Sequence, residues 1–250
     1  MEKENSLRQK ARDQLQLFLN ECNVEGHRGK KILEIGFKNG LFLDECHKTG
    51  FIPTGIEINS EYYKTVKMDF PHLDLLWYDG GTFPVGDNSF DYVVSFQVLE
   101  HVQSVEHIFN ECIRILKPGG IMYHICPNYH SFYEGHHKVI WLPFLNKDTG
   151  RLYLKLIRRY TPGYEYLNIV KPKNVAQMLK KYNNKVTVIS LGREEFVNTF
   201  NREQIEKVDQ KLLRKGMYFL KRLTFIKKFT LKLISKTNLY YPIVLIVMKN

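Results

Sequence analysis

Hydrophobic positions follow two alternating patterns along this chain. Over residues 5–22 they fall at Leu7, Ala11, Leu15, Phe18 and Leu19, one side of an amphipathic helix. From residue 31 short apolar runs take over: KILEI (31–35), IPTGIEI (52–58), LDLLWY (73–78), FDYVVSF (90–96) and IMYHIC (121–126). Helical spacing returns between them, near 40–49, 60–69 and 102–116. Such near-continuous apolar strands, alternating with helices, predict a parallel sheet covered by helices on both faces. KPGG (117–120) reads as a turn that stops one helix and starts the next strand.

After residue 126 the pattern loosens. Residues 127–147, PNYHSFYEGHHKVIWLPFLNK, are rich in aromatics and histidine and read as a loop or lid outside the core. Helices are expected near 148–160 and 172–182, a strand at 185–191, basic helices over about 194–237 and a strong last strand at 240–248. Two strands after five parallel ones make a seven-stranded α/β sheet of Rossmann-like type. The expected organisation is a single domain over 1–250. It comprises an N-terminal helix (1–30), a core (31–126), a lid with helices (127–184) and closing strands around the basic insertion (185–250).

Composition narrows the picture. A chain of 250 residues with 44% hydrophobic and 25% charged residues suits one α/β domain with an elaboration. The four cysteines form no C-x-x-C pair, which argues for reduced thiols and against a structural zinc. The charged start MEKENSLRQKARDQ has no apolar signal region, and no run reaches the ~18 apolar residues of a membrane span, so the expected location is cytoplasmic. The net charge of +11 is uneven: from Lys211 to Asn250 there is no Asp or Glu. Within 211–236 leucine and phenylalanine interleave with lysine, which suits peripheral contact with an anionic membrane at the inner face. An RNA backbone is the less favoured partner, and a solvated basic face or an amphipathic lid is the plain alternative.

The candidate chemistry begins at LEIGFKNG (33–40). A dinucleotide fingerprint would place glycines where Lys38 and Leu41 stand. Gly36 allows close approach of the backbone to a ligand, and Gly40 relieves crowding where a helix starts. Glu57 lies 21 residues after Gly36 and is placed to accept from a ribose diol, which fits a dinucleotide and an adenosyl group equally. Asp79, at the end of the third apolar run, is placed to accept from an adenine amino group. Glu34 would repel a pyrophosphate but favour a cationic sulfonium bearing an amino group.

Together these motifs resemble the class I S-adenosylmethionine-dependent methyltransferases across residues 31 to about 126. LEIGFKNG resembles the family's first motif and GIEIN its acidic second motif. DGGTFPVGDNSFDYVVSFQVLEHV resembles the passage to strand four, and ILKPGGIMYHICPN the entry to strand five. The resemblance implies S-adenosyl-L-methionine as cofactor, with Glu34, Gly36 and Phe37 around its methionine part. Glu57 would hold the ribose hydroxyls, with Ile58 and Gly40 in the same binding set. Asp79 and the Gly80 N–H would hold adenine, and Phe96 and Gln97 would line the methyl channel. Lys38 departs from the pattern, standing where the family has its middle glycine.

Candidate bases follow strands four and five: His101, His124, Tyr129, His130, Glu134, His136 and His137. His101 and His137 are taken as the catalytic pair, and no metal is assigned. Some relatives, quinone-precursor and small-RNA O-methyltransferases, bind a divalent metal through a similar E-x-x-E-H stretch, and Pro127, Asn128, His137 and Trp141 resemble a further RNA-enzyme motif. A Glu100–His101–His137 metal set is therefore the alternative, weakened because Gln97 replaces one carboxylate. The preferred reading has Glu100 capping the start of the following helix and His101 packing or acting alone. The aromatic segment also resembles methyltransferases of bacterial surface-glycan synthesis. Tyr129, Phe132, Tyr133 and Trp141 would stack on a sugar or pack beneath a loop. The expected reaction is O-methylation of a saccharide, a lipid-linked glycan precursor or another small hydroxylated acceptor. A small-RNA or quinone-precursor O-methyltransferase is the second reading. A non-catalytic membrane- or RNA-binding protein on the same fold is the third.

Overall fold

The computed structural model describes residues 2–201, 233, 234 and 236–250. The first helix, α1, spans Glu2–Glu21, and the strands and helices then alternate: β1 (Lys31–Ile35), α2 (Leu41–Thr49), β2 (Ile52–Glu57), α3 (Ser60–Asp69), β3 (Asp74–Trp77), β4 (Phe90–Phe96), α4 (Val105–Ile115) and β5 (Leu116–Cys126). A hairpin of β6 (Tyr133–Glu134) and β7 (Val139–Ile140) follows, then α5 (Lys147–Leu156), α6 (Pro172–Leu179), β8 (Val186–Ser190), α7 (Arg193–Asn201) and β9 (Ile243–Lys249). The expected basic helices lie largely outside the described residues, as does most of the 211–236 segment assigned to a membrane surface.

The main sheet has seven strands in the order β3-β2-β1-β4-β5-β9-β8. Strands β1 to β5 pair in parallel, and β9 is antiparallel to both β5 and β8. This is the Rossmann-like methyltransferase sheet expected from the pattern of apolar runs. The chain reverses its direction of progress between β1 and β4, so a crevice opens beyond their carboxyl ends, where α/β sheets bind ligands. Alternate residues serve the two faces. Leu33, Val93, Met122 and Leu245 join Ile108 and Phe109 of α4 and Val175 of α6. Ile32, Val94, Tyr123 and Val244 join Phe18 of α1 and Phe42 and Cys46 of α2. Both faces are thereby dry, which is why the strands read apolar at almost every position.

Two local readings change. KPGG does not precede β5 but lies inside it: Phe90 pairs with Leu116 and Tyr92 with Ile121, so residues 117–120 bulge opposite Asp91. Gly119 takes φ +76° there, which favours glycine. Residues 127–147 are also more than a loop. Tyr129, Val139, Trp141, Leu145, Leu154, Tyr164 and Leu167 form a separate buried cluster beside the sheet. The Trp141 indole packs edge-on to Tyr129, 5.8 Å between centroids, and donates to the Tyr129 carbonyl at 3.1 Å. Aromatic packing of this kind needs neither helical nor strand periodicity, so the pattern of apolar positions does not reveal it. Among the described residues, no helix is long and apolar enough to cross a membrane.

Candidate functional site

The glycine turn leaves β1 at its carboxyl end. Gly36 (φ +73°) donates its N–H to Ile56 O at 2.8 Å, and a Cβ at this position would stand 2.8 Å from Val98 Cγ2. Gly40 (φ +69°) begins α2, and a Cβ there would collide with Val66 of α3. Lys38, the departure from the family pattern, adopts φ +44°, so its backbone keeps a glycine-like left-handed turn. Its N–H donates to Glu57 Oε2 at 3.1 Å, and its side chain is exposed. Phe37 turns its ring into a core cluster with Leu43, Val66, Leu73 and Leu75 and leaves only its backbone on the turn.

Two acids face this turn. Glu57, at the end of β2, also accepts from Asn59 N at 2.9 Å, so two backbone donors fix its carboxylate while each oxygen keeps a second lone pair. Glu34 is buried at 5% exposure, and its Oε2 has no hydrogen-bond partner. Burial, with the nearby Glu57 charge adding to it, raises the Glu34 carboxyl to about 8. Farther along the crevice, Asp79 accepts from Gly81 N at 3.0 Å, Gly80 takes φ +95°, and the half-exposed Ile58 lies against Gly80.

The turn after β4 carries the second half of the site. Gln97 adopts φ +57°, an uncommon conformation for a residue with a Cβ, and donates its N–H to Ile125 O at 2.7 Å. The Phe96 ring packs against Phe42 and Tyr123, so it supports the crevice wall from the core. Glu100 and His101 do not start a helix. α4 begins at Val105, and Ser104 caps it by accepting from His107 N at 3.1 Å. Glu100 is therefore no cap: its side chain is fully buried, neither oxygen has a partner, and burial raises its carboxyl to about 7.

The histidine opposite His101 is His136, not His137. The two Nε2 atoms are 3.3 Å apart, and His101 Nε2 is 3.9 Å from Glu100 Oε1. Ligand atoms of Glu100, His101 and His136 all lie within 4.8 Å of one another. His137 is buried behind them, with Nδ1 2.9 Å from Glu134 Oε2 and Nε2 3.1 Å from Thr161 Oγ1. Its place in a catalytic pair or a metal set with His101 is corrected on that geometry. Buried Glu134 orients both rings and also accepts the N–H groups of His136 and His137. Despite burial, the hydrogen bonds from His136 and His137 hold its carboxyl at about 2. The hydrogen bond to Glu134 raises His136, while burial, His136 and Lys38 lower His101.

The other candidate bases are structural. His124 is fully buried, bonded to Ser95 Oγ at 2.8 Å, and burial lowers it to about 3. His130 approaches Pro143 O at 3.2 Å. Tyr129 and Trp141 belong to the aromatic core. Asn168, which the sequence reading passed over, donates Nδ2 to Leu99 O at 3.1 Å and Val102 O at 2.6 Å, and its N–H to Glu100 O at 2.7 Å. No motif signals it, because its partners lie 66 to 69 residues away in the chain.

A Rossmann-like sheet with acids at three successive strand ends and an open glycine turn defines the methyltransferase class of fold. Residues 33–124 match the family described as methyltransferase domain. A probable S-adenosylmethionine-dependent methyltransferase of Mycolicibacterium smegmatis is 30% identical over 107 residues, 43% of this chain and 42% of that one. A ubiquinone biosynthesis O-methyltransferase of Caulobacter vibrioides is 31% identical over 103 residues, 38% of this chain and 40% of that one. The chain thus spans less than half the length of these two curated relatives. In fold it is similar to an S-adenosylmethionine-dependent methyltransferase from Mesorhizobium loti, with TM-score 0.57 at 12% identity, covering 91% of this chain and 94% of that one. Residues 33–124 are thus similar to a methyltransferase domain, and the cofactor in the names of the Mycolicibacterium and Mesorhizobium proteins is S-adenosylmethionine.

The residues present fit that cofactor. The unpartnered Glu34 oxygen needs a cationic donor, which an amino-acid ammonium supplies. Gly36 gives a surface without a side chain, and Glu57 keeps acceptor capacity for a diol.

Proposed function

We propose that this protein transfers a methyl group from S-adenosyl-L-methionine to the hydroxyl of a small acceptor. The observation that carries the acceptor chemistry is the Glu100–His101–His136 cluster on the turn after β4. Glu34, Gly36 and the Phe37 backbone would hold the methionine part, Glu57 the ribose, and Asp79 with the Gly80 N–H the adenine. Bound there, the cofactor supplies a methyl group already activated by its sulfonium charge. The chain's own task is then to orient a hydroxyl and take its proton.

Glu134 accepts from His136 Nδ1–H, which turns His136 Nε2 toward His101. His101, about half exposed and lowered by its surroundings, stands neutral at pH 7 and ready to accept a proton. A divalent metal is a second reading, favoured by the two partnerless oxygens of Glu100. Glu100, His101 and His136 would hold it, and it would acidify a bound hydroxyl. The relatives named for ubiquinone biosynthesis support the quinone-precursor reading. A saccharide acceptor rests on the resemblance of residues 127–144, and a lipid-linked one on the basic segment 211–236. RNA is less favoured.

A radiolabelled methyl-transfer assay against hydroxylated phenols, nucleotide sugars and short RNA tests the acceptor class. His101→Ala is expected to lower turnover about 100-fold or more with cofactor affinity unchanged. Chelator sensitivity reversed by added divalent ions would select the metal reading. Methylation of an amine with no hydroxyl product would overturn the proposal.

A further inference from the structure

We propose that the insertion after β5 docks on the surface of an anionic lipid bilayer through the outer ridge of α5 and the adjoining Ile140. The inner face of α5 is settled by its contacts. Leu154 is fully buried in the aromatic cluster, and a Cβ on Gly150 would stand 2.6 Å from the Trp141 ring. Leu152 and Leu156 are each two residues from Leu154, about 200° around the helix, so they point directly away from that core. They are 59% and 74% exposed, and Ile157, just beyond the helix, is 38% exposed. Tyr153 donates its hydroxyl to Ile140 O at 2.7 Å, which brings Ile140, 60% exposed, beside the same ridge. An isolated exposed leucine is ordinary, but the Leu152–Leu156 ridge with Ile157 at its end and Ile140 alongside forms a patch of exposed aliphatic residues.

Charge selects the occupant. Lys138, Lys155, Arg158 and Arg159 are all exposed around these residues. Between Asp148 and Glu165 there is no Asp or Glu, and both of those acids are engaged by Arg151. An apolar ridge whose exposed neighbours are mostly cationic, with the exposed Asp148 one turn before Leu152 paired to Arg151, matches lipid tails below and anionic headgroups above, the long basic side chains reaching outward from the apolar layer. The ridge is also preformed: Asn146 caps α5 with a reciprocal capping box, and Arg151 ties the helix to Glu165 through two bonds of 2.6 and 2.7 Å. The proposal uses none of residues 211–236 and stands independently of the methyltransfer reading.

The test is co-sedimentation of the full chain with phosphatidylcholine vesicles, with and without ~30% phosphatidylglycerol. Wild type and the double variant Leu152→Ser/Leu156→Ser are compared, with thermal melts confirming that both fold. The wild type is expected to partition onto the anionic vesicles, and the variant to lose about tenfold or more of that partition. Arg158→Gln/Arg159→Gln should weaken binding at low salt and flatten its salt dependence. Three results overturn the proposal. One is a wild type that ignores anionic vesicles. Another is a Leu152→Ser/Leu156→Ser variant that binds as well as wild type, which assigns binding to the basic segment. A wild-type dimer that the variant converts to monomer would give the ridge to a second copy of the chain.

Discussion

Glu34 is the residue whose surroundings make the sharpest demand. Its carboxyl, raised to about 8 by burial and Glu57, is largely protonated at pH 7 in the free protein. Pairing with an ammonium requires the ionised form, so cofactor binding at pH 7 should release close to one proton. Calorimetry in two buffers of different ionisation enthalpy measures this, and Glu34→Gln should abolish it. Because folding raises this carboxyl, its contribution to stability is present below the ordinary glutamate range and lost as pH rises through about 8. The melting temperature of the free protein should therefore decline toward pH 8, and less so in Glu34→Gln. Lys38 makes a smaller demand: with φ +44°, Lys38→Gly should raise stability by roughly 0.5–1 kcal/mol, measured by denaturant unfolding. At this scale the strand-end positions of Glu34, Glu57 and Asp79 were legible because each sits at or near the end of an apolar run. His136 was not legible against His137. Which of two adjacent histidines faces His101 depends on the short hairpin and on how Glu134 holds both rings.

The elements carrying the site are joined by contacts that no local pattern announces. β1, β2 and β4 were readable from their apolar runs, and α2 and α3 from helical spacing. The expected helix start at Glu100–Val102 falls a few residues early, because Ser104 caps α4 and its first residue is Val105. The β4–α4 turn is held by Asn168, which reaches it from the insertion with three hydrogen bonds. Asn168→Ala removes two of them and should cost about 1–3 kcal/mol of stability. Its distinguishing readout is functional: turnover should fall while cofactor affinity stays near wild type, because Asn168 holds the turn that carries Glu100 and His101 and makes no hydrogen bond to Glu34, Glu57 or Asp79. An equal fall in both would make it a general structural support. For the insertion's aromatics the sequence left stacking on a sugar and packing beneath a loop both open, since Tyr129, Trp141 and Tyr164 meet across 12 to 35 positions without a period.

At the scale of the whole molecule, one sheet sets both halves of the site on its carboxyl edge: the acids beyond β1, β2 and β3, and the histidine cluster where the β4 turn meets the insertion. The count of seven strands followed from the apolar runs, whereas their order, with the antiparallel β9 between β5 and β8, is set by the fold. The acceptor was less legible, because the aromatics assigned to it divide between core and surface: Trp141 is fully buried and Phe132 is 57% exposed. The central claim is that Glu34, Glu57 and the Gly36 turn bind S-adenosyl-L-methionine. Isothermal titration of the wild type and Glu57→Ala with that cofactor tests it most directly. A saturable one-to-one heat in the wild type, weakened about tenfold or more in Glu57→Ala, is the expected result. No heat with the folded wild type, or equal affinity in the two proteins, would contradict it.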